Sequence, residues 1–224
     1  MTTIRTVATH DIVQSLFPRT VTDQDKLGMA VGRAIDSALA QFSYDFRQSR
    51  RPTVSAMSRV AESLLDEGLA EVDTEVTTGE RQRLAGQVTG VLQSFRRSEV
   101  FGLLRPKSRL ILVQEVVGVY AQPDYWNGRD RIYEMKSYPA TLALPDVKLQ
   151  LEIFQLAFPG FRTVLATFDR FSSPVVSKLT EVAPLEARRR DELLRMVHQK
   201  GLELGEPKVL EYIDHPAVRY SLPA

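Results

Sequence analysis

The chain has 224 residues, of which 43% are hydrophobic and 25% are charged, as in ordinary globular proteins. The formal net charge is only +1, so bulk charge does not indicate a nucleic-acid-binding protein. Cysteine is absent, which excludes disulfides, thiolate zinc sites and iron–sulfur clusters held by cysteine, and no apolar run is long enough for a membrane span or a signal peptide. We therefore expect a cytoplasmic, intracellular protein that does not bind a membrane.

The first hundred residues are expected to be helical. Apolar residues recur at three- and four-residue spacing over 24–47, which predicts an amphipathic helix, and "RQSRRPT" (47–53) should end it. Two further helices are predicted over about 54–69 and 79–101.

From residue 109 the apolar period changes to two, which predicts strands. "RLILVQEVVGVYAQ" (109–122) predicts one strand that continues through Tyr125. The later predicted elements, in order, are a strand at 130–136, a helix opened by Pro145, strands at 162–171 and 175–182, a helix at 183–205 and a short strand at 208–214. This order predicts an α/β fold, in which a mixed central β-sheet is flanked by helices. An N-terminal helical part (1–104) would pack on a core (105–224) as one compact unit.

Asp124, Glu134 and Lys136 form the constellation that carries chemistry. Cleaving a phosphodiester requires stabilisation of negative charge and an activated water; Mg²⁺ supplies both and prefers a few carboxylates as ligands. A nearby lysine can orient the water and hold the developing charge. Glu134 and Lys136 are two residues apart on a predicted strand, so they share a face.

The register of the hairpin decides whether Asp124 can join them. A tight Asn127-Gly128 turn would leave Glu134 about 10 Å along the strand from the residue opposite Asp124, at about 3.3 Å per residue. A wider loop over 127–131 would place Asp124 opposite Glu134. We predict the wider loop, because Asp130 and the arginines beside it are typical of a loop.

The acid-x-Lys pattern is weak by itself. It occurs at Glu134-Met135-Lys136, Asp146-Val147-Lys148 and Glu206-Pro207-Lys208, and about one chance occurrence is expected in a chain of this length. The second opens a helix and the third follows a helix-ending glycine, so only the first lies on a strand after a hairpin. An ordinary solvated strand face remains an alternative for it.

In this context the sequence resembles the PD-(D/E)xK nuclease superfamily, specifically its RecB-like exonuclease branch, over about 109–200. Pro123-Asp124 and Glu134-Met135-Lys136 fit the signature. The helix "KLQLEIFQLAF" is similar to the family's glutamine-containing helix, with Gln150 at the glutamine and Phe154 where a tyrosine is usual.

The resemblance implies a DNA nuclease that depends on Mg²⁺ or Mn²⁺, an exonuclease of DNA recombination, repair or replication. Asp124, Glu134 and the Met135 carbonyl would hold the metal, Lys136 would serve the water, and Gln150 would support the site or contact DNA. A glutamine among apolar neighbours can also simply be satisfied by backbone. The alternative function is a catalytically silent subunit that binds nucleic acid or a partner. A homo-oligomer would suit a processive exonuclease.

One departure from the family concerns the N-terminal helix. Many RecB-like members carry a metal-binding histidine there after a glycine, but Gly28 and Gly32 are followed by none. Asp36 or Glu115 could fill that place. Glu115 is out of phase with Asp124 on an unbroken strand, so it would join the site only through a bulge.

Overall fold

A computed structural model describes residues 2–47, 53–72 and 75–222. Within these ranges the chain forms nine strands and six α-helices. The strands are β1 (Thr3–Ala8), β2 (Arg109–Val113), β3 (Val117–Ala121), β4 (Tyr125–Trp126), β5 (Arg131–Lys136), β6 (Arg162–Asp169), β7 (Val176–Glu181), β8 (Glu206–Val209) and β9 (Ala217–Tyr220). The helices are α1 (Thr9–Leu16), α2 (Asp23–Arg47), α3 (Val54–Ala70), α4 (Thr78–Arg96), α5 (Pro145–Ala157) and α6 (Ala187–Leu204).

The predicted α/β class is confirmed, and the strands divide between two open mixed sheets. The first sheet has the order β8-β1-β3-β2-β9, and the second has the order β4-β5-β6-β7. In the second sheet β5 is antiparallel to β4 and parallel to β6. The chain passes from β3 in one sheet to β4 in the other within a few residues, so the hairpin that follows begins where the two sheets meet.

Two sequence predictions about secondary structure are wrong. The first residues were expected to be helical, but they form the strand β1, which pairs parallel to β3. The predicted strand over 109–122 is instead the β2–β3 hairpin. Its turn places Gln114 and Glu115 in the left-handed region, at φ 51° and 54°, which glycine or asparagine usually occupies. The sequence therefore gives no ordinary turn signal at that point.

The predicted helices agree closely with α2, α3, α5 and α6, although α4 ends at Arg96 rather than near residue 101. Most of the predicted break at 47–53 lies outside the described residues. At the C-terminal end, β8 begins and ends earlier than the strand predicted at 208–214, a short 3₁₀ turn follows it, and β9 was not predicted.

Helices pack on both faces of the second sheet, and α1 and α6 also pack on β1 and β3 of the first sheet. Buried side chains of α2, α3 and α4 pack with one face of β5 and β6, which includes Tyr133, Met135 and Phe168. The opposite face, which includes Ile132, packs in a second core with α1, α5 and α6. Since Glu134 and Lys136 share the face of Ile132, they point toward the α5 side. None of the helices in the described part of the chain is both long and apolar enough to cross a membrane.

Candidate active site

The β4–β5 hairpin has the register that a shared site requires. Tyr125 pairs with Tyr133 and Trp126 with Ile132, so Asp124 stands opposite Glu134, one step further along. Asp124 Oδ2 accepts a hydrogen bond of 2.8 Å from the backbone N–H of Met135. The wider loop predicted from the sequence is therefore confirmed.

Asn127 holds this loop open. Its Oδ1 atom accepts hydrogen bonds of 3.0 Å from the backbone N–H groups of Arg129, Asp130 and Arg131. Gly128 takes a φ of +78°, which costs glycine little. The Asn-Gly pair thus organises a longer loop, in which the asparagine side chain replaces backbone partners.

The outer edge of β4 is also paired. Leu104 and Trp126 form an isolated antiparallel bridge, in which Trp126 N donates to Leu104 O at 2.8 Å and Leu104 N donates to Trp126 O at 3.3 Å. A two-residue strand has few hydrogen bonds of its own, so this bridge fixes β4, and with it Asp124, from the side opposite β5.

Glu134, Lys136 and Gln150 form a closed triangle of hydrogen bonds. Lys136 Nζ donates to Glu134 Oε1 at 2.7 Å and to Gln150 Oε1 at 3.0 Å. Gln150 Nε2 donates to the same Glu134 oxygen at 2.9 Å. An ammonium can only donate and a carboxylate can only accept, so these two contacts fix the amide orientation of Gln150. The glutamine is satisfied by side chains of the site, not by backbone.

Glu134 does not lie on a solvated strand face, because it is only 5% exposed, and Asp124 is half-buried. Burial and the negative charge of Asp124 raise the pKa of Glu134 to about 8. Burial alone would lower the pKa of Lys136, but the Glu134 carboxylate outweighs it and raises that pKa. Burial is therefore the main cause of the raised pKa of Glu134, and the Lys136 ammonium offsets it only in part.

Asp36 of α2 lies close enough to Asp124 for the two charges to interact. The surrounding protein and then the negative charge of Asp124 raise its pKa above the usual value, while Arg105 and Lys136 partly offset this shift. Asp36 also lines a cleft beside the site, so solvent reaches it from that side. Of the two acids considered in place of the absent histidine, the structure brings Asp36 near Asp124.

Glu115 lies elsewhere, which corrects its predicted place among the metal ligands. It occupies the tip of the β2–β3 turn and forms an ion pair with Arg219 of β9. The five residues of β3 separate it from the Asp124 end of the hairpin, a length of about 16 Å. A bulge in an unbroken strand would have been needed to bring Glu115 to the site, and the chain instead forms a turn at this point.

The backbone carbonyl of Met135 faces the same strand edge as Asp124. The N–H and C=O of a strand residue point to one side, and the Met135 N–H donates to Asp124. Continuing the β4–β5 register opposes Pro123 to Met135, and proline has no N–H to offer that carbonyl. Because Pro123 has no N–H, the Met135 carbonyl oxygen beside Asp124 receives no hydrogen bond from the residue opposite it.

These groups fit a divalent cation. Mg²⁺ binds oxygen ligands, commonly one or two protein carboxylates together with several waters. Burial is the larger cause of the raised pKa values of Glu134 and Asp36, and the negative charge of Asp124 adds to both shifts. A cation would neutralise that charge. Within the described ranges, no three acidic or histidine side chains are grouped closely enough to hold a metal ion. The protein would supply Asp124, Glu134 and the Met135 carbonyl, and water the remaining ligands.

Sequence reasoning missed the side chains of the β6–β7 turn, where Arg170 and Phe171 line the same cleft as Lys136. Neither residue belongs to a motif, and no local pattern could have identified them. They reach the site through the pairing of β6 with β5.

No protein-family profile and no curated protein sequence matches this chain. Among solved structures, the chain is similar to a provisionally assigned exonuclease from Eubacterium rectale, with a TM-score of 0.45 and 12% identity over 73% of each chain. It is also similar to the structure of SSO0001, with a TM-score of 0.40 and 13% identity over 90% of this chain and 77% of that one. At these values neither structure assigns the chain a family or an activity.

Proposed function

We propose that this protein is a Mg²⁺- or Mn²⁺-dependent DNA nuclease that hydrolyses phosphodiester bonds. The observation that carries this proposal is the opposition of Asp124 to Glu134, with Lys136 hydrogen-bonded to Glu134. Burying the Glu134 carboxyl beside Asp124 costs free energy that its contact with Lys136 offsets only in part, so this arrangement has no evident value for stability. The same arrangement suits a metal-assisted hydrolase.

Each side chain has a distinct task in this proposal. Asp124 and Glu134 bind the metal, which when bound would polarise the phosphate and activate a water. Lys136 uses two of its three N–H donors on Glu134 and Gln150, which leaves one for the attacking water or a phosphate oxygen. As an ammonium, Lys136 would orient the water and stabilise the developing negative charge. Gln150 positions both of its partners.

A catalytically silent DNA-binding subunit is the second candidate. The observation that favours it is that the described residues contain no group of three metal-binding side chains. The two candidates differ in one measurable property, which is cleavage that depends on a divalent metal.

In the deciding experiment, linear and circular DNA, each single- or double-stranded, is incubated with the protein in Mg²⁺, Mn²⁺ or EDTA, and the rate of cleavage is measured. The Lys136→Ala variant is expected to lose roughly 10²–10³-fold in rate, since it removes a preorganised donor at the developing charge. Lys208→Ala is the matched control, because Lys208 belongs to another acid-x-Lys triplet and lies on β8. It should cleave like the parent.

The outcomes separate the candidates. Cleavage by the parent that requires metal and is lost in Lys136→Ala supports a nuclease. DNA binding without cleavage supports the silent subunit. Degradation of linear DNA only would identify an exonuclease, and cutting of circles an endonuclease. Equal cleavage by the parent and Lys136→Ala would rule out the proposed site.

A further inference from the structure

A cleft of about 550 Å³ opens directly beside the proposed site. Helices α2 and α4, the end of β5 and the β6–β7 turn form its walls. Asp36 and Lys136 line the end of the cleft nearest the proposed site. Arg83, Arg170 and Phe171 also line it. A substrate strand bound across the acids would therefore continue into this cleft.

Arg170 is a cation in this cleft without an acidic partner. Its Nη1 atom donates to Ser137 Oγ at 3.3 Å, its Nε atom is buried with no hydrogen-bond partner, and no ion pair to it occurs among the described residues. Burial lowers its pKa. Withdrawing a guanidinium from water without a counter-charge costs free energy. Its planar fork matches the oxygens of a phosphate or a carboxylate, and a phosphate is the anion that the substrate of the proposed nuclease would bring.

Arg83 provides a second and independent indication of an anion. It approaches from α4, and its positive charge acts on Arg170 closely enough to oppose protonation there. Among the described residues, Arg83 forms an ion pair with Glu80 alone, at 3.7 Å and on a half-exposed side chain, and such surface pairs are weak. Two arginines that repel each other across a cleft favour a phosphate between them.

The position of Arg170 is fixed before any ligand binds. A Cβ atom added at Gly28 of α2 would lie 3.1 Å from Arg170 Nη2, so the guanidinium packs against the bare backbone of that helix. The turn that carries it is held by Asp169, whose Oδ1 accepts from Phe171 N at 3.0 Å, and whose carbonyl accepts from Ser172 Oγ at 2.9 Å.

Phe171 offers an aromatic surface at the rim of the cleft. It is 59% exposed, unlike the phenylalanines of the core. Arg170 Cζ lies 5.0 Å from the centroid of its ring and so covers part of one face. Nucleic-acid bases stack on such rings, with a contribution of about 1–3 kcal/mol per base. A base inside a duplex has both faces occupied, so a ring at this position suits an unpaired base.

We propose that the cleft binds an unpaired nucleotide of the substrate DNA, with its phosphate on Arg170 and Arg83 and its base on Phe171. The substrate is then a single strand or a single-stranded end. This inference rests on the proposed nuclease function. It adds a preference for single-stranded over double-stranded DNA, which Asp124 and Glu134 alone do not imply.

The test measures binding in EDTA, where cleavage is prevented, by fluorescence anisotropy of a labelled single-stranded oligonucleotide and of a blunt duplex. The parent should bind the single strand at least 10-fold more tightly. Phe171→Leu, which keeps an apolar side chain but removes the ring, should weaken single-strand binding roughly 5- to 150-fold. Arg170→Ala should weaken it and make the dependence of log K on log salt shallower by about 0.7, the value for one phosphate contact on a single strand.

Arg188→Ala is the matched control, since Arg188 is a highly exposed arginine of α6, paired with Glu192; it should bind like the parent. Circular dichroism and melting temperature confirm that each variant folds. Failure of the parent to prefer the single strand, or unchanged binding by both Arg170→Ala and Phe171→Leu, would overturn this inference. Neither result affects the cleavage assay with Lys136→Ala, which decides the proposed function separately.

Discussion

The clearest consequence of the buried acids is a dependence of stability on pH that one substitution should remove. In the folded, metal-free protein the pKa of Glu134 is about 8, against a usual value of 4.5. The folded state therefore holds this proton more tightly than the unfolded chain does. Stability from this group is fully present below about pH 4.5 and is lost as the pH rises to about 8. The difference corresponds to roughly 5 kcal/mol as an upper value.

Glu134→Gln keeps the size of the side chain and one oxygen acceptor but cannot ionise. Relative to the parent, this variant should gain stability between pH 5 and pH 8.5, by an amount on the order of 2–5 kcal/mol. Lys136 stays charged throughout, and its attraction is already included in the raised pKa of Glu134, so the pH dependence comes from ionisation of the Glu134 carboxyl alone. The measurement is urea denaturation of both proteins in EDTA at several pH values. A free-energy difference that does not change with pH would refute the reasoning.

The same pair of proteins tests the metal site. At pH 8, Mg²⁺ should raise the unfolding free energy of the parent, since a ligand that binds only the folded state stabilises it. Mg²⁺ should raise the unfolding free energy of the Glu134→Gln variant far less, because a metal ligand is missing. Equal stabilisation of both proteins would place the metal elsewhere.

Three further predictions concern the supports of the site and the fold. Gln150→Leu should reduce metal-dependent cleavage about 10- to 100-fold, as removal of a residue that orients metal ligands commonly does; a Mg²⁺ titration of the cleavage rate checks this. Asn127→Ala should lower the unfolding free energy by roughly 1–3 kcal/mol, because three backbone N–H groups lose their acceptor, and an unchanged urea midpoint would contradict that role. Gly201→Ala should destabilise by about 1–3 kcal/mol, because a Cβ would meet Val117 Cγ1 at 2.1 Å. Gly86→Ala, where nothing lies within 4 Å, should stabilise by about 0.5–1 kcal/mol, and melting temperatures of the two should move in opposite directions.

The sequence was informative where structure depends on neighbouring residues. The helix opened by Pro145 and the register that opposes Asp124 to Glu134 follow from local patterns, and both are observed. The strand β1 was missed because its partner β3 lies more than a hundred residues along the chain, and parallel pairing leaves no local signal. The β2–β3 turn was missed because its residues are not those that left-handed turns favour.

The candidate site also contains residues that local patterns identify and residues that they do not. Glu134 and Lys136 were identified from their spacing on one strand, Asp124 from the register of the hairpin, and Gln150 from the family resemblance. Their catalytic roles stay predictions. Arg170 was not identified, because it gains significance only where packing sets it against Gly28 and Ser137. Cleft residues of this kind come from distant parts of the chain, so no motif contains them.

The bridge between Leu104 and Trp126 bears on whether the chain can be divided. The predicted boundary between the helical part and the core falls immediately after Leu104, yet that residue clamps the strand that carries Asp124. Helix α2 adds Asp36 to the same place. A fragment that begins at residue 105 would lose Leu104, Asp36 and one wall of the cleft together. We therefore expect such a fragment to have neither activity nor a native hairpin.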